Sequence, residues 1–254
     1  TDHTVEAVRG DLVLDDVSFT VGERTLLDRV SLTVPEGTTL GITGPTGSGK
    51  TLLASLLTRQ TDPTSGRIAI GGRDLRTLPL SALRRSVALA AQEPVLFSDT
   101  LAANISFAGE EIEHEMVMQA AEIAHLHNDV ESFPEKYETR LGERGVTLSG
   151  GQRQRTSLSR AIARNPEILI LDDVLASVDT ETEAAITAKL GPVLAGRTSI
   201  VISHRVSTLQ HADCIVVLEN GAVTQRGSHE TLIRQEGFYR RLYEFQRAQG
   251  GGDA

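Results

Sequence analysis

The chain has no tryptophan, only three tyrosines and six phenylalanines, and a single cysteine. With aromatics at 4%, a stacking platform for sugars or single-stranded nucleic acid is excluded. One cysteine excludes a disulfide framework and any cysteine-based zinc cluster. Cys214 opens the run Cys214-Ile215-Val216-Val217-Leu218 and reads as a small core hydrophobe in a buried strand. Positive charge is in deficit, with 25 Lys and Arg against 34 Asp and Glu, for a net charge of −9. That balance opposes DNA or RNA binding through phosphates. No apolar run is long enough to span a bilayer, and no signal-peptide pattern is visible. What is present is a globular composition, 39% hydrophobic and 23% charged over 254 residues.

Short β-rich apolar runs alternate with helical patterns. Residues 38–43 read as a strand that breaks into a glycine-rich turn, and 51–58 as the helix after it. Residues 168–171 and 199–202 read as strands buried on both faces, and 182–190 as a helix between them. That order predicts a parallel sheet with crossover helices. Upstream, 12–20 and 26–34 flank Val21-Gly22-Glu23-Arg24 and predict an antiparallel hairpin, with Pro35-Glu36-Gly37 as a turn. From Asp99 to about Thr147 strand character fades. There Ile112, Met116, Ala120 and Ile123 recur at helical spacing, which predicts a small helical subdomain. The glycine-rich end, 248–254, reads as a flexible tail.

Gly44-Pro45-Thr46-Gly47-Ser48-Gly49-Lys50-Thr51 fits the P-loop pattern in full, and it lies between a predicted strand and a predicted helix. Its glycines let several backbone N–H groups face one anion. Lys50 adds a point charge for the outer phosphates, Thr51 offers a hydroxyl to Mg²⁺, and the helix start directs its positive end at the phosphates. Leu169-Ile170-Leu171-Asp172-Asp173 ends a buried strand in two acids. Asp172 is placed to hold Mg²⁺ and Asp173 to face the γ-phosphate; a helix cap or a loop acid is the plainer alternative. Leu148-Ser149-Gly150-Gly151-Gln152-Arg153-Gln154-Arg155 opens a further helix and supplies a second anion-binding end.

These ordered motifs resemble the nucleotide-binding domain of ABC ATPases, from about Gly10 to Phe245. Gln92 in Ala91-Gln92-Glu93-Pro94-Val95-Leu96-Phe97 resembles the family's Q-loop, Ser177-Val178-Asp179 its D-loop, and Ile202-Ser203-His204-Arg205 its H-loop. The resemblance implies an α/β P-loop NTPase core over 1–247, with an N-terminal antiparallel β subdomain and a helical signature subdomain inserted at about 93–150. ATP and Mg²⁺ are the implied cofactors. Gly44, Thr46, Gly47, Ser48, Gly49, Lys50 and Thr51 would hold phosphates, with Thr51, Gln92 and Asp172 around the metal. Asp173, Gln92 and His204 would serve hydrolysis. Ser149, Gly150, Gly151, Gln152 and Asp179 would act across an interface with a second nucleotide-binding domain. Leu141-Gly142-Glu143-Arg144-Gly145 is similar to exporter sequences. In exporters this domain follows membrane helices in the same polypeptide, which here would lie upstream of Thr1, and it works at the cytoplasmic face of a membrane.

Three positions depart from the family pattern. Val21 stands where an aromatic ring usually stacks on adenine, Leu52 where a second hydroxyl usually nears the α-phosphate, and Asp173 where the general base is usually Glu. All three fall on the chain's own half-site, while the signature is intact. That asymmetry resembles the degenerate-site subunit of a heterodimeric exporter. Other readings of the same motifs are a competent homodimer that tolerates these residues, a soluble ABC ATPase outside transport, and a regulatory module that never hydrolyses. Soluble relatives usually carry coiled-coil or zinc insertions or a tandem second copy, which this sequence lacks.

Overall fold

The computed structural model describes residues 7–107, 112–142 and 146–250. Strands β1 (Leu12–Val21) and β2 (Arg24–Val34) form the expected hairpin. Val21 pairs with Arg24, which leaves a two-residue turn, and Gly22 takes its first position at φ 58°. That left-handed backbone favours glycine. Strand β3 (Thr39–Thr43) leads through the glycine loop into helix α1 (Lys50–Leu57). Strands β4 (Ser65–Ile70) and β5 (Arg73–Asp74), which no sequence pattern announces, return to the hairpin. The result is a four-stranded antiparallel sheet in the order β2-β1-β4-β5.

The chain continues through α2 (Leu80–Ser86), β6 (Val87–Ala90), α3 (Leu101–Ile105), α4 (His114–Ile123), α5 (His127–Ser132) and α6 (Gly150–Ala163). It then alternates through β7 (Ile168–Asp172), α7 (Thr180–Leu194), β8 (Thr198–Ile202), α8 (Val206–Leu209) and β9 (Cys214–Glu219). Strand β10 (Ala222–Gly227) and helices α9 (His229–Leu232) and α10 (Phe238–Gly250) complete it. The second sheet has the order β10-β9-β3-β8-β7-β6. All its pairings are parallel except that of β10, which runs antiparallel along the edge of β9.

Side chains alternate across this sheet with a period of two. Ile168 and Ile170 of β7 enter the core shared with α1 and the antiparallel sheet, beside Ile42, Ile200 and Ile202. Leu169 and Leu171 enter the opposite core, beneath α4, α6 and α7. Strand β9 divides likewise: Val216 and Leu218 join the first core, while Ile215 and Val217 join a third with Tyr239 and Leu232. Burial on both faces is why these strands carry unbroken apolar runs.

The helical segment corrects one expectation. Helix α4 buries Val117, Ala120 and Ala121, with Ala124 just beyond its end. Ile112 precedes the helix and Met116 is exposed. Of the predicted stripe, Ala120 is buried and Ile112 and Ile123 pack partly buried against the same core, while Met116 is exposed and Val117 and Ala121 are buried instead. The segment also shares its core with β6 and β7 rather than owning a separate one. At the other end, α10 continues to Gly250, so 248–250 are helical rather than tail, and 251–254 lie outside the described residues. Glu143, Arg144 and Gly145 also lie outside them. Cys214 is half-buried at the start of β9, packed beside the first core. Among the described residues, no helix is long and apolar enough to cross a membrane.

Ile170 is fully buried in β7 between β6 and β8. Ile170→Ala is expected to cost about 3 kcal/mol, measured as the loss of unfolding free energy in reversible urea denaturation.

Candidate nucleotide-binding site

Strands buried on both faces can present polar groups only where they end. The site forms at the C-terminal ends of β3, β7 and β8, which are neighbours in the sheet. Gly44 follows β3 at φ 147°, and a Cβ there would meet the Leu218 carbonyl oxygen at 2.0 Å. Only glycine lets the loop start so close to β9. Thr46 and Gly47 form the loop's exposed crest, and a Cβ on Gly47 would meet nothing within 4 Å. Ser48 is buried and closes the turn by donating its N–H to the Pro45 carbonyl at 3.2 Å. Helix α1 then starts at Lys50 with Gly49 as its cap and no side-chain cap. Its first N–H groups therefore have no intrahelical partner, in front of open space above the loop.

Lys50 is buried to 7% exposure. Its ammonium donates to the carbonyls of Gly44 and Pro45, both at 2.8 Å, and lies 3.4 Å from Ser48 Oγ. Burial holds its pKa below the ordinary lysine value, and the charges of Asp173 and Asp172 oppose that shift. Asp172 ends β7 at 2% exposure. Burial raises its pKa, the Thr51 hydroxyl lowers it by donating a hydrogen bond, and Asp173 and Lys50 act in opposite senses. A buried carboxylate beside a hydroxyl at the mouth of a phosphate loop is a hard-oxygen donor pair. Mg²⁺ takes such ligands, with waters and phosphate oxygens completing its shell. The residues present therefore fit both a polyphosphate and the metal.

Asp173 follows in the left-handed region at φ 48°, a conformation that Asp tolerates better than most residues. Its N–H donates to the Ile202 carbonyl at 2.9 Å, which ties the end of β7 to the end of β8. Its carboxylate lies 4.0 Å from His204 Nε2. Burial lowers the His204 pKa, Lys50 lowers it further, and Asp173 opposes both. These effects together favour the neutral ring, whose free nitrogen and N–H can each take part in a hydrogen bond.

The signature residues form a second cluster. Ser149 caps α6: its Oγ accepts from Gln152 N–H at 3.2 Å, while Gln152 Oε1 accepts from Ser149 N–H at 2.9 Å. Asp129, which no sequence signal singled out, receives Gln152 Nε2 at 2.9 Å and Arg155 Nη1 at 2.6 Å. Gln154 is buried and joins three motifs. Its Nε2 donates to the Gln92 carbonyl at 3.3 Å, and its Oε1 accepts the Ser177 N–H at 2.9 Å. A Cβ on Gly151 would come 3.0 Å from the Ser177 carbonyl oxygen, so the start of α6 rests against the D-loop.

The remaining expected residues are less engaged. Gln92 is exposed in the loop after β6, held through its carbonyl rather than its side chain. Asp179 caps α7, accepting from Thr182 N–H at 2.9 Å. Val21 is 59% exposed at the tip of the hairpin. Leu52 packs toward the first core.

A glycine loop with a buried lysine, an acid pair at the next strand but one, and an uncapped helix start define a P-loop nucleotide site. The family model described as ABC transporter matches residues 27–176. The chain is 43% identical over 247 residues to the ATP-dependent lipid A-core flippase of Cupriavidus metallidurans, covering 95% of this chain and 42% of that protein. It is 40% identical over 240 residues to the mitochondrial iron-sulfur clusters transporter ATM1 of Chaetomium globosum, covering 93% of this chain and 40% of that one. A solved bacterial Atm1-family ABC exporter with ATP bound superimposes with a TM-score of 0.90 at 35% identity, over 96% of this chain and 44% of that structure. The chain belongs to the ABC transporter family. ABC ATPase domains bind ATP with Mg²⁺, and the chemistry of the loop, Thr51 and Asp172 fits both. This chain spans about two-fifths of the length of the curated relatives it matches.

Asp172→Asn removes a buried charge while keeping the side chain's shape. The nucleotide-free variant is expected to melt at the native temperature or above it, and Mg²⁺ should no longer tighten ATP binding; melting curves and calorimetry with and without Mg²⁺ read both. His204, with its pKa depressed in the folded chain, resists protonation that the unfolded chain accepts. Its contribution is intact above the ordinary histidine pKa and is lost as pH falls through the folded value. Native protein should therefore lose more stability than His204→Gln between about pH 7 and about pH 5.5, read as melting temperature against pH.

Proposed function

We propose that this chain is the ATP-binding and hydrolysing motor domain of an ABC exporter at the cytoplasmic face of a membrane, with its own nucleotide site slow in hydrolysis. The observation that carries it is the convergence of Lys50, Asp172, Asp173 and His204 at one end of the parallel sheet. Mg²⁺ supplies neutralisation of phosphate charge when bound. Lys50 and the first N–H groups of α1 bind the outer phosphates. Asp172 and Thr51 hold the metal. His204 orients the terminal phosphate, and Asp173 beside it accepts a hydrogen bond from the attacking water.

The slow turnover rests on Asp173 standing where the family carries Glu. Its carboxylate is set back by one carbon–carbon bond, roughly 1.5 Å, and a misplacement of about 1 Å costs on the order of 100-fold in rate. The exposed aliphatic Val21 offers adenine contact without stacking. Leu52 turns from the loop toward the core. The signature end of α6, by contrast, has its cap and supporting bonds in place. We take that end to complete a competent site on a different partner chain, and Gln92 to report phosphate occupancy to a membrane domain on the same polypeptide. Beyond Gln92, Val95, Phe97 and Phe107 are exposed at 70%, 41% and 54%. The two rings lie 4.2 Å apart, with Arg160 5.5 Å and 5.6 Å from their centroids. This apolar patch supports docking of the membrane domain. The transported substrate would be chosen by that domain.

Asp173→Glu is expected to raise Mg²⁺-dependent phosphate release at this site by at least about tenfold. Turnover unchanged by the substitution removes Asp173 as the cause of slow hydrolysis, and fast turnover by the native chain paired with itself favours the competent homodimer.

A further inference from the structure

The segment that carries His204 is held from two directions. Arg205 reaches inward: its guanidinium pairs with the buried Glu183 of α7 and donates to the Val178 carbonyl of the D-loop at 3.3 Å. The Ser207 and Thr208 hydroxyls also donate to Glu183, at 3.0 Å and 3.2 Å. This set fixes the side chain of Arg205 and leaves the backbone of its two neighbours to other partners. That backbone is held by one residue of α10. Gln246 Nε2 donates to the His204 carbonyl at 2.6 Å, and Gln246 Oε1 accepts the Val206 N–H at 2.9 Å. A single side-chain amide thus brackets Arg205 and pairs with the chain on both sides of it, as a neighbouring strand would.

The register of α10 puts Gln246 there. Tyr239, Leu242, Tyr243 and Gln246 fall at helical positions i, i+3, i+4 and i+7, one face of the helix. Tyr239 is fully buried and, with Leu242 and Tyr243, packs onto Val206, Leu209, Ile215 and Val217. The Tyr239 hydroxyl lies 2.9 Å from His229 Nδ1, and its N–H donates to Gln225 Oε1 at 3.1 Å. With its first turn pinned, the helix delivers the next residue of the buried face two turns on, about 10 Å away, at the H-loop. Phe245, one position earlier, is 60% exposed, so the helix reaches the loop through this face alone.

We propose that Gln246 is a positioning residue for nucleotide recognition: by clamping the backbone at His204 and Val206 it lets the C-terminal helix set where the His204 ring stands. The inference rests on the nucleotide reading above. Losing both hydrogen bonds does not expose a core. It frees the H-loop, which must then be ordered when the terminal phosphate binds. The cost therefore falls on ATP, which carries that phosphate, and spares ADP.

The test uses Gln246→Ala, with Gln246→Glu as a second variant that keeps an acceptor for Val206 N–H and removes the donor to the His204 carbonyl. Amide hydrogen exchange of the nucleotide-free protein reads the clamp directly. Protection at Val206 should drop on the order of tenfold in Q246A and be largely kept in Q246E. Calorimetry with MgATP and MgADP reads its consequence. Q246A should weaken MgATP about five- to tenfold, as expected for one to two lost hydrogen bonds, and leave MgADP within about twofold. Q246E should fall between native and Q246A. In a His204→Ala background Q246A should add nothing, because both act through one ring. Unchanged Val206 protection in Q246A, or equal weakening of ATP and ADP, overturns the inference. So does a full Q246A effect on ATP when His204 is already alanine. A native chain that takes up no MgATP sinks the nucleotide reading and this inference with it. A native chain that prefers ATP to ADP, beside a Q246A variant with the same preference, overturns the inference alone.

Discussion

Lys50 carries its charge at 7% exposure, wrapped by the carbonyls of the loop that it will serve and facing the acids that end β7. Each partner makes the other's burial tolerable. Without Asp172 and Asp173 the ammonium would lose the charges that oppose its neutralisation, and without Lys50 two adjacent carboxylates would stand together with little to offset their repulsion. This cluster is costly for a nucleotide-free protein, and its cost makes sense as preorganisation. An incoming phosphate offers Lys50 a better partner than neutral carbonyls, and a divalent cation offers Asp172 one better than a hydroxyl. The sheet enforces the arrangement. Its strands are apolar on both faces, so polar groups gather at the strand ends, and the order β3-β8-β7 brings the glycine loop, His204 and the aspartate pair to one edge.

The second cluster is built on another principle. At the start of α6, Ser149 and Gln152 satisfy each other, and Asp129 braces Gln152 and Arg155 from α5. Gln154 then fastens this helix to the loop after β6 and to the D-loop. The run from Asp173 leads into the D-loop, which is held at Val178 by Arg205 of the H-loop. Phosphate edge and signature end are therefore linked through a short run of backbone, residues 173–179, held by the buried Gln154 on one side and the partly exposed Arg205 on the other.

Much of this was legible in the sequence, because glycine loops and strand-terminal acids leave local marks. The P-loop, the buried strands, the hairpin and the capped signature helix all lie where residue pattern alone puts them. The misses have a common cause. Asp129, Gln154, Glu183 and Gln246 act by meeting backbone or side chains 23 to 62 positions away, and such meetings have no local signature. In α4 the pattern found the helix and its buried Ala120 but not the exposure of Met116, beside which Val117 is buried, because neighbouring apolar residues on a short helix do not say by themselves which one faces inward. Strand β5 has only two residues, and β4 has one apolar run of three, Ile68-Ala69-Ile70, too short to stand out as a strand.

The three departures from the family pattern gain weight from where the structure puts them. Were Val21, Leu52 and Asp173 tolerated drift, nothing would confine them to one function. They sit at the hairpin tip, the first turn of α1 and the end of β7, the three places where the family resemblance would put nucleotide contacts. Each replaces a group that would touch nucleotide or water with one that is aliphatic or shorter. None disturbs packing: Val21 is exposed, Leu52 adds apolar contact to the core, and Asp173 keeps its backbone bond to Ile202. Substitutions neutral for the fold leave the proposed slow turnover free of any stability cost. At the signature end of α6, by contrast, the cap and its bracing bonds are complete. That contrast between the two ends is what supports the proposed reading of an unlike partner chain.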